Sequence, residues 1–126
     1  MAKPDLCARV MSLDRNIMGA FLLRNGTLDH WKMRKGLKLP EPEKVSTMMF
    51  QRTLVHTLLK EREEYVGRMH YNLTSYDQVD IFHFSLEEPR DNYPLLLVTV
   101  RKPYDHELLV AKVLRTVKGW HQVKWT

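Results

Sequence analysis

The chain has 126 residues, 44% hydrophobic and 28% charged, with 20 Lys and Arg against 15 Asp and Glu for a formal net charge of +5. That length suits one domain around one core, and the longest apolar runs, Ile17 to Leu23 and Leu95 to Val98, fall far short of the about 20 residues that span a bilayer. A lone Cys7 excludes an internal disulfide and a cysteine-based metal framework, and Met1-Ala2-Lys3-Pro4-Asp5 lacks the apolar segment of a secretory signal, so a cytoplasmic protein away from membranes is expected. In such a protein the sequons Asn25-Gly26-Thr27 and Asn72-Leu73-Thr74 are chance matches.

Asp5 to Asn16 reads as a short helix, with Leu6, Val10 and Leu13 on one face. The apolar run Ile17 to Arg24 and the run Thr27 to Met33 flank Asn25-Gly26. A type I′ turn needs φ > 0 at both central residues, which Asn and Gly tolerate, so a β-hairpin is predicted. Arg34 to Glu43 is a loop carrying Gly36, Pro40 and Pro42. Pro42 suits the first turn of a helix, where its missing N–H is no loss. That helix is expected from about Pro42 to Glu64. Phe50, Leu54, Leu58 and Tyr65 lie on one flank; Val45, Met48, Val55, Leu59 and Val66 lie on the other. Gln51 and Arg62 fall between them, and Met49 points toward the polar side. Such a spread exceeds the ~100° stripe that packing onto one surface needs. Two neighbours are therefore expected: the sheet of the same domain and a second copy of the chain.

Arg68 to Ser75 alternates Met69, Tyr71 and Leu73 with His70, Asn72 and Thr74, and Tyr76-Asp77-Gln78 is a turn. Val79 to Leu86 sets Val79, Ile81 and His83 on one side and Phe82, Phe84 and Leu86 on the other. Glu87 to Asn92, with Pro89, is a loop. Tyr93 to Val100 is unbroken in its apolar centre, which places it near the middle of a sheet covered on both faces. Pro103 and Asp105 open the last helix, with Asp105 as N-cap, and Leu109, Val110, Val113, Leu114 and Val117 form its stripe. Gly119 is expected to end it at the C′ position, leaving 120–126 as a short aromatic and basic tail. The predicted order is α-β-β-α-β-β-β-α in a single domain of α/β (α+β) type. It is a three-layer α/β/α sandwich around a five-stranded antiparallel sheet.

This order resembles the roadblock/LC7 superfamily, a relative of the profilin-like and longin folds, over nearly the whole chain. Its local anchor is Gly19-Ala20-Phe21-Leu22-Leu23-Arg24-Asn25-Gly26, similar to the first roadblock hairpin, where a small-residue pair opens a strand that ends in a Gly turn. Met33-Arg34-Lys35-Gly36, the helix behind it and Leu13-Asp14 ahead of the hairpin resemble a small group of archaeal, mostly thaumarchaeal, proteins, from which no activity carries over. The roadblock resemblance implies a homodimer in which central helices pair and third strands join two sheets. It also implies a scaffold or regulator of small GTPases, or an attachment to motors. The candidate dimer or partner surface is Val45, Met48, Met49, Phe50, Leu54, Leu58 and Leu59; Met48 and Met49 suit an adaptable contact.

No catalytic pattern appears: the P-loop, Gly-x-Gly-x-x-Gly, Gly-x-Ser-x-Gly and His-Glu-x-x-His are absent, so no catalytic residue, metal or cofactor is expected. Among six histidines, His70 and His83 lie on adjacent strands but on opposite faces in the predicted register, with no carboxylate or thiol at ligand spacing. Cys7, beside Leu6, reads as a buried inert thiol. The basic stretch Lys32, Arg34, Lys35 and Lys38, flanked by Trp31 and containing Gly36, suits a phosphate or an acidic protein surface, against the plainer reading of a solubilising loop. Trp120 and Trp125 suit stacking on bases or docking into a partner groove, or else fold back over an apolar edge. The leading expectation is a non-catalytic, homodimeric interaction module. The alternatives are a nucleic-acid-binding protein using the basic loop and the tail, and a PAS-like small-ligand sensor.

Overall fold

The structure, a computed structural model, describes residues 5–86 and 94–122. The expected loop Glu87 to Asn92, Tyr93 and Trp125 lie outside the described residues. Helix α1 (Leu6–Met11) opens where the Asp5 carboxylate accepts the Ala8 N–H at 3.2 Å. It stops five residues short of the expected Asn16. The Arg34 guanidinium donates to the carbonyls of Met11 (3.0 Å), Asp14 (3.2 Å) and Ile17 (2.7 Å), and so satisfies the chain in a non-helical path there.

Strands β1 (Ile17–Arg24) and β2 (Thr27–Met33) form the predicted hairpin, with φ of 53° at Asn25 and 78° at Gly26. Helix α2 (Pro42–Lys60) starts with Pro42 in its first turn. It ends short of the expected Glu64; a separate turn, α3 (Glu63–Val66), follows and stops at Gly67, whose φ is 93°. Then come β3 (Tyr71–Ser75), β4 (Val79–Ser85), β5 (Leu95–Arg101) and α4 (His106–Gln122).

The five strands are antiparallel neighbours in the order β2-β1-β5-β4-β3. The unbroken apolar strand β5 is central, as expected from burial on both faces. Alternation then divides the side chains. Ile17, Leu22, Phe82, Phe84, Leu96 and Val98 meet Leu6 and Val10 of α1 and Leu109, Val113 and Val117 of α4. Phe21, Leu23, Leu95 and Leu97 meet Met49 of α2 on the other face. These are the three expected layers.

Asp105 caps α4, accepting the Leu108 N–H at 3.0 Å. Gly119 does not end this helix, which runs on to Gln122. Trp120 is buried in the core one residue later, and that burial outweighs the C-terminal preference of glycine. Trp120 is thus a core residue and not part of an aromatic tail. Among the described residues no helix is long and apolar enough to cross a membrane.

Candidate functional site

Helix α2 presents its more apolar side outward. Phe50, Leu54 and Leu58, spaced four apart, are 55%, 49% and 61% exposed, and Met48 and Val55 widen the strip. Tyr65 and Val66 of α3 are exposed as well. The hairpin tip backs this strip: a Cβ at Gly26 would lie 3.1 Å from the Phe50 ring. Of the seven candidate surface residues, Met48, Phe50, Leu54 and Leu58 are exposed and Leu59 is half-buried. Met49 is corrected to the core, and Val45 packs against the same cluster. Val45, Met49 and His56 share the azimuth that faces the sheet, where strand residues Phe21, Leu23, Leu95 and Leu97 offer an apolar floor for a long thioether side chain.

The seam beneath α2 is polar toward β3 and β4. His56, buried, bonds through Nδ1 to the Asn72 amide nitrogen at 3.1 Å and through Nε2 to the Ser85 hydroxyl at 2.8 Å. Asn72 pairs directly with His83 across the strands, so the even-numbered β3 residues share the His83 face. That reverses the register expected from the sequence for this pair of strands. The histidine that His83 shares the seam with is His56, while His70 precedes β3 and is exposed. Both ring nitrogens of His83 are buried without a well-aligned hydrogen bond, and the Asn72 backbone lies close enough to favour the protonated ring. Burial, then Lys60 and His83, pushes His56 down to about 4; burial, then Arg52, pushes His83 down to about 4. Both rings are neutral at pH 7. Among the described residues no group of three or more His, Cys, Asp or Glu gathers to hold a metal.

The basic candidates do not converge on one point. Lys32 belongs to β2 rather than to a loop, and Arg34 is committed to the carbonyls of Met11, Asp14 and Ile17 between α1 and β1. Lys35 and Lys38 are exposed on either side of Leu37, which packs against the α2-side core. Cys7 is fully buried, its thiol 3.7 Å from the His30 carbonyl and pushed up to about 12 by burial, so it is inert.

A second polar cluster escaped sequence reasoning. On the α4 side of the sheet, Asp80 is buried and accepts from Ser75 Oγ (2.5 Å) and from the Tyr104 hydroxyl, with Lys102 Nζ at 3.3 Å. Lys102 also donates to Ser75 Oγ (2.7 Å) and to the Tyr76 carbonyl (2.6 Å). Burial opposes ionisation of Asp80, but the bonds from Ser75, Tyr104 and Lys102 outweigh it and hold the carboxyl below its usual range. Burial and the Asp80 charge push the Tyr104 phenol up, so it stays a donor. A carboxylate so stabilised is a poor base toward Ser75; the cluster clamps the β3–β4 turn to the β5–α4 connection. Its only sequence signal is that Ser75 and Asp80 flank a turn and therefore pair.

Neither a protein-family model nor a curated protein matches the sequence. Solved structures match in fold. A roadblock/LC7 domain from Streptomyces avermitilis superimposes with a TM-score of 0.70 over 95% of this chain and 96% of its own, at 16% identity. Myxococcus xanthus MglB gives 0.68 over 90% of this chain and 86% of its own, at 10% identity. An MglB with a tetrameric arrangement gives 0.58 over 91% and 87%, also at 10% identity. Identities this low establish a shared fold and no shared activity. The fold is that of the roadblock/LC7 domain.

Proposed function

We propose that this protein is a non-catalytic interaction module that pairs with a second copy of itself through the outward face of α2. The pair then serves as a scaffold or regulator for a further protein, a small GTPase being the partner class that the roadblock resemblance implies. One observation carries this reading: α2 turns Phe50, Leu54 and Leu58 to solvent while facing the sheet with a mixed apolar and polar side. Burying each such side chain contributes about 1.5–3 kcal/mol, so a contiguous exposed strip favours a covering partner. A helix face is self-complementary about a two-fold axis, which makes a second copy the simplest cover. The tetrameric arrangement of one MglB neighbour fits a fold used for assembly.

Light scattering at micromolar concentration should give twice the chain mass. Leu58→Glu, which sets a charge at the centre of the strip, should give the single-chain mass with an unchanged far-UV spectrum. A wild-type monomer removes the pairing. Titration against a panel of small GTPases in both nucleotide states tests the partner class, and absence of binding in either state removes it while leaving the pairing intact.

A further inference from the structure

Two buried imidazoles lie in the seam that joins α2 to the sheet, and among the described residues neither is hydrogen-bonded to an acid. His83 is 3% exposed and His56 is 5% exposed. Neither His83 ring nitrogen has a side-chain partner; the Asn72 backbone is the one group that favours its protonated form, and burial and Arg52 outweigh it. His56 is bonded at both nitrogens, but only to neutral side chains. The Asn72 amide nitrogen donates to Nδ1, so Nε2 carries the proton and donates to Ser85. A second proton, at Nδ1, meets the Asn72 N–H head-on unless that amide turns over.

The charged groups around the pair oppose protonation. From α2, Arg52 acts on His83 and Lys60 acts on His56, and a charge on His83 also opposes one on His56. The acid in range is Glu63 of α3, whose carboxylate already accepts the Met69 N–H at 2.7 Å. Asn72 and Ser85, the sheet side chains that bond His56, carry no charge. Inside the docked seam an imidazolium finds only neutral acceptors, a turned-over Asn72 amide for His56 and the Asn72 backbone for His83, so full solvation of the charge requires the helix above it to lift.

We propose that His56 and His83 form an acid-operated latch: proton uptake in the seam releases α2 from the sheet while the layer of α1 and α4 stays folded. The latch is a property of one chain and does not depend on pairing through α2. Its sign follows from linkage. Both histidines are held near 4 in the docked state against an ordinary 6.5, so the released state binds more protons between those values. The histidines oppose docking least above pH 6.5 and increasingly as pH falls toward 4, shifting the balance toward release on the order of a hundredfold per histidine by pH 4. The α4 side keeps its buried charge in that window, because Asp80 is held below the usual carboxylate range.

Amide hydrogen exchange read by peptide, with protection factors corrected for the intrinsic effect of pH, tests the latch on the full chain between pH 7 and 4. Protection across 42–60 should fall at least a hundredfold, while 95–101 and 106–120 stay protected. Simultaneous loss in all three segments, or retained protection of 42–60 at pH 4, overturns the proposal. The pair His56→Gln and His83→Leu should abolish the acid response. If that double variant does not fold, His83→Leu alone should shrink the response by at least tenfold, and an unchanged response overturns the latch.

Discussion

The two faces of this sheet are finished in different ways. Toward α1 and α4, alternate strand residues meet a continuous apolar layer, and Asp80, the one buried acid among the described residues, has three donors converging on it. Toward α2, the apolar cluster is small, built from Phe21, Leu23, Met49, Leu95 and Leu97, and the remaining seam holds two neutral histidines. Helix α4 turns its apolar stripe in; α2 turns most of its own out. The contrast teaches that a helix can dock by what the strands offer it rather than by its own most apolar side. The face left outside is then the one available to a partner.

Core truncation separates the two sides most sharply. Phe82→Ala, on the α4 side, should cost about 3–5 kcal/mol by urea denaturation, whereas Met49→Ala should cost about 2 kcal/mol, because fewer neighbours surround it. Equal losses would break the comparison. Next comes Asp80→Ala, which leaves Ser75, Tyr104 and Lys102 without their shared acceptor and should cost about 2 kcal/mol at pH 7. A neutral outcome there shows that water replaces the carboxylate and that the α4 side tolerates polarity no better or worse than the α2 seam. Smallest is Leu54→Ser on the outer strip, expected to change the stability of the dissociated chain by less than about 0.5 kcal/mol. A loss above about 1 kcal/mol, measured at a dilution where pairing is absent, means that Leu54 packs within its own chain.

What could be read from the sequence was local. Asn25-Gly26 set both strands of the hairpin because the turn type demands positive φ at two residues, and the unbroken run in β5 revealed its central place. Asp105 marked the start of α4 through one hydrogen bond. Where tertiary packing overrode a local preference, the sequence misled. Gly119 looked like a stop, but burial of Trp120 carries the helix past it. Arg34 looked like a free cation, yet its partners are backbone carbonyls of residues 11, 14 and 17, which no motif announces. The orientation of α2 was hidden because apolar residues occupy both flanks, so Met49 could be placed only once the strands below it were known. His56 and His83 sit on a helix and a strand with no spacing rule between them, and only the pairing of Asn72 with His83 brings them into one seam.

The central position of β5 has a consequence for how the chain comes into being. β1 joins the sheet's other half only through β5, with Phe21 opposite Leu97 and Ala20 opposite Val98. A chain made from its N-terminus therefore completes the hairpin early and then carries β1 with one edge open, until most of the polypeptide has been synthesised. The apolar residues of β1 wait on a strand whose pairing closes a loop of more than seventy residues. The segment that most clearly announces the fold is thus also the one most exposed to wrong partners while the fold is being made.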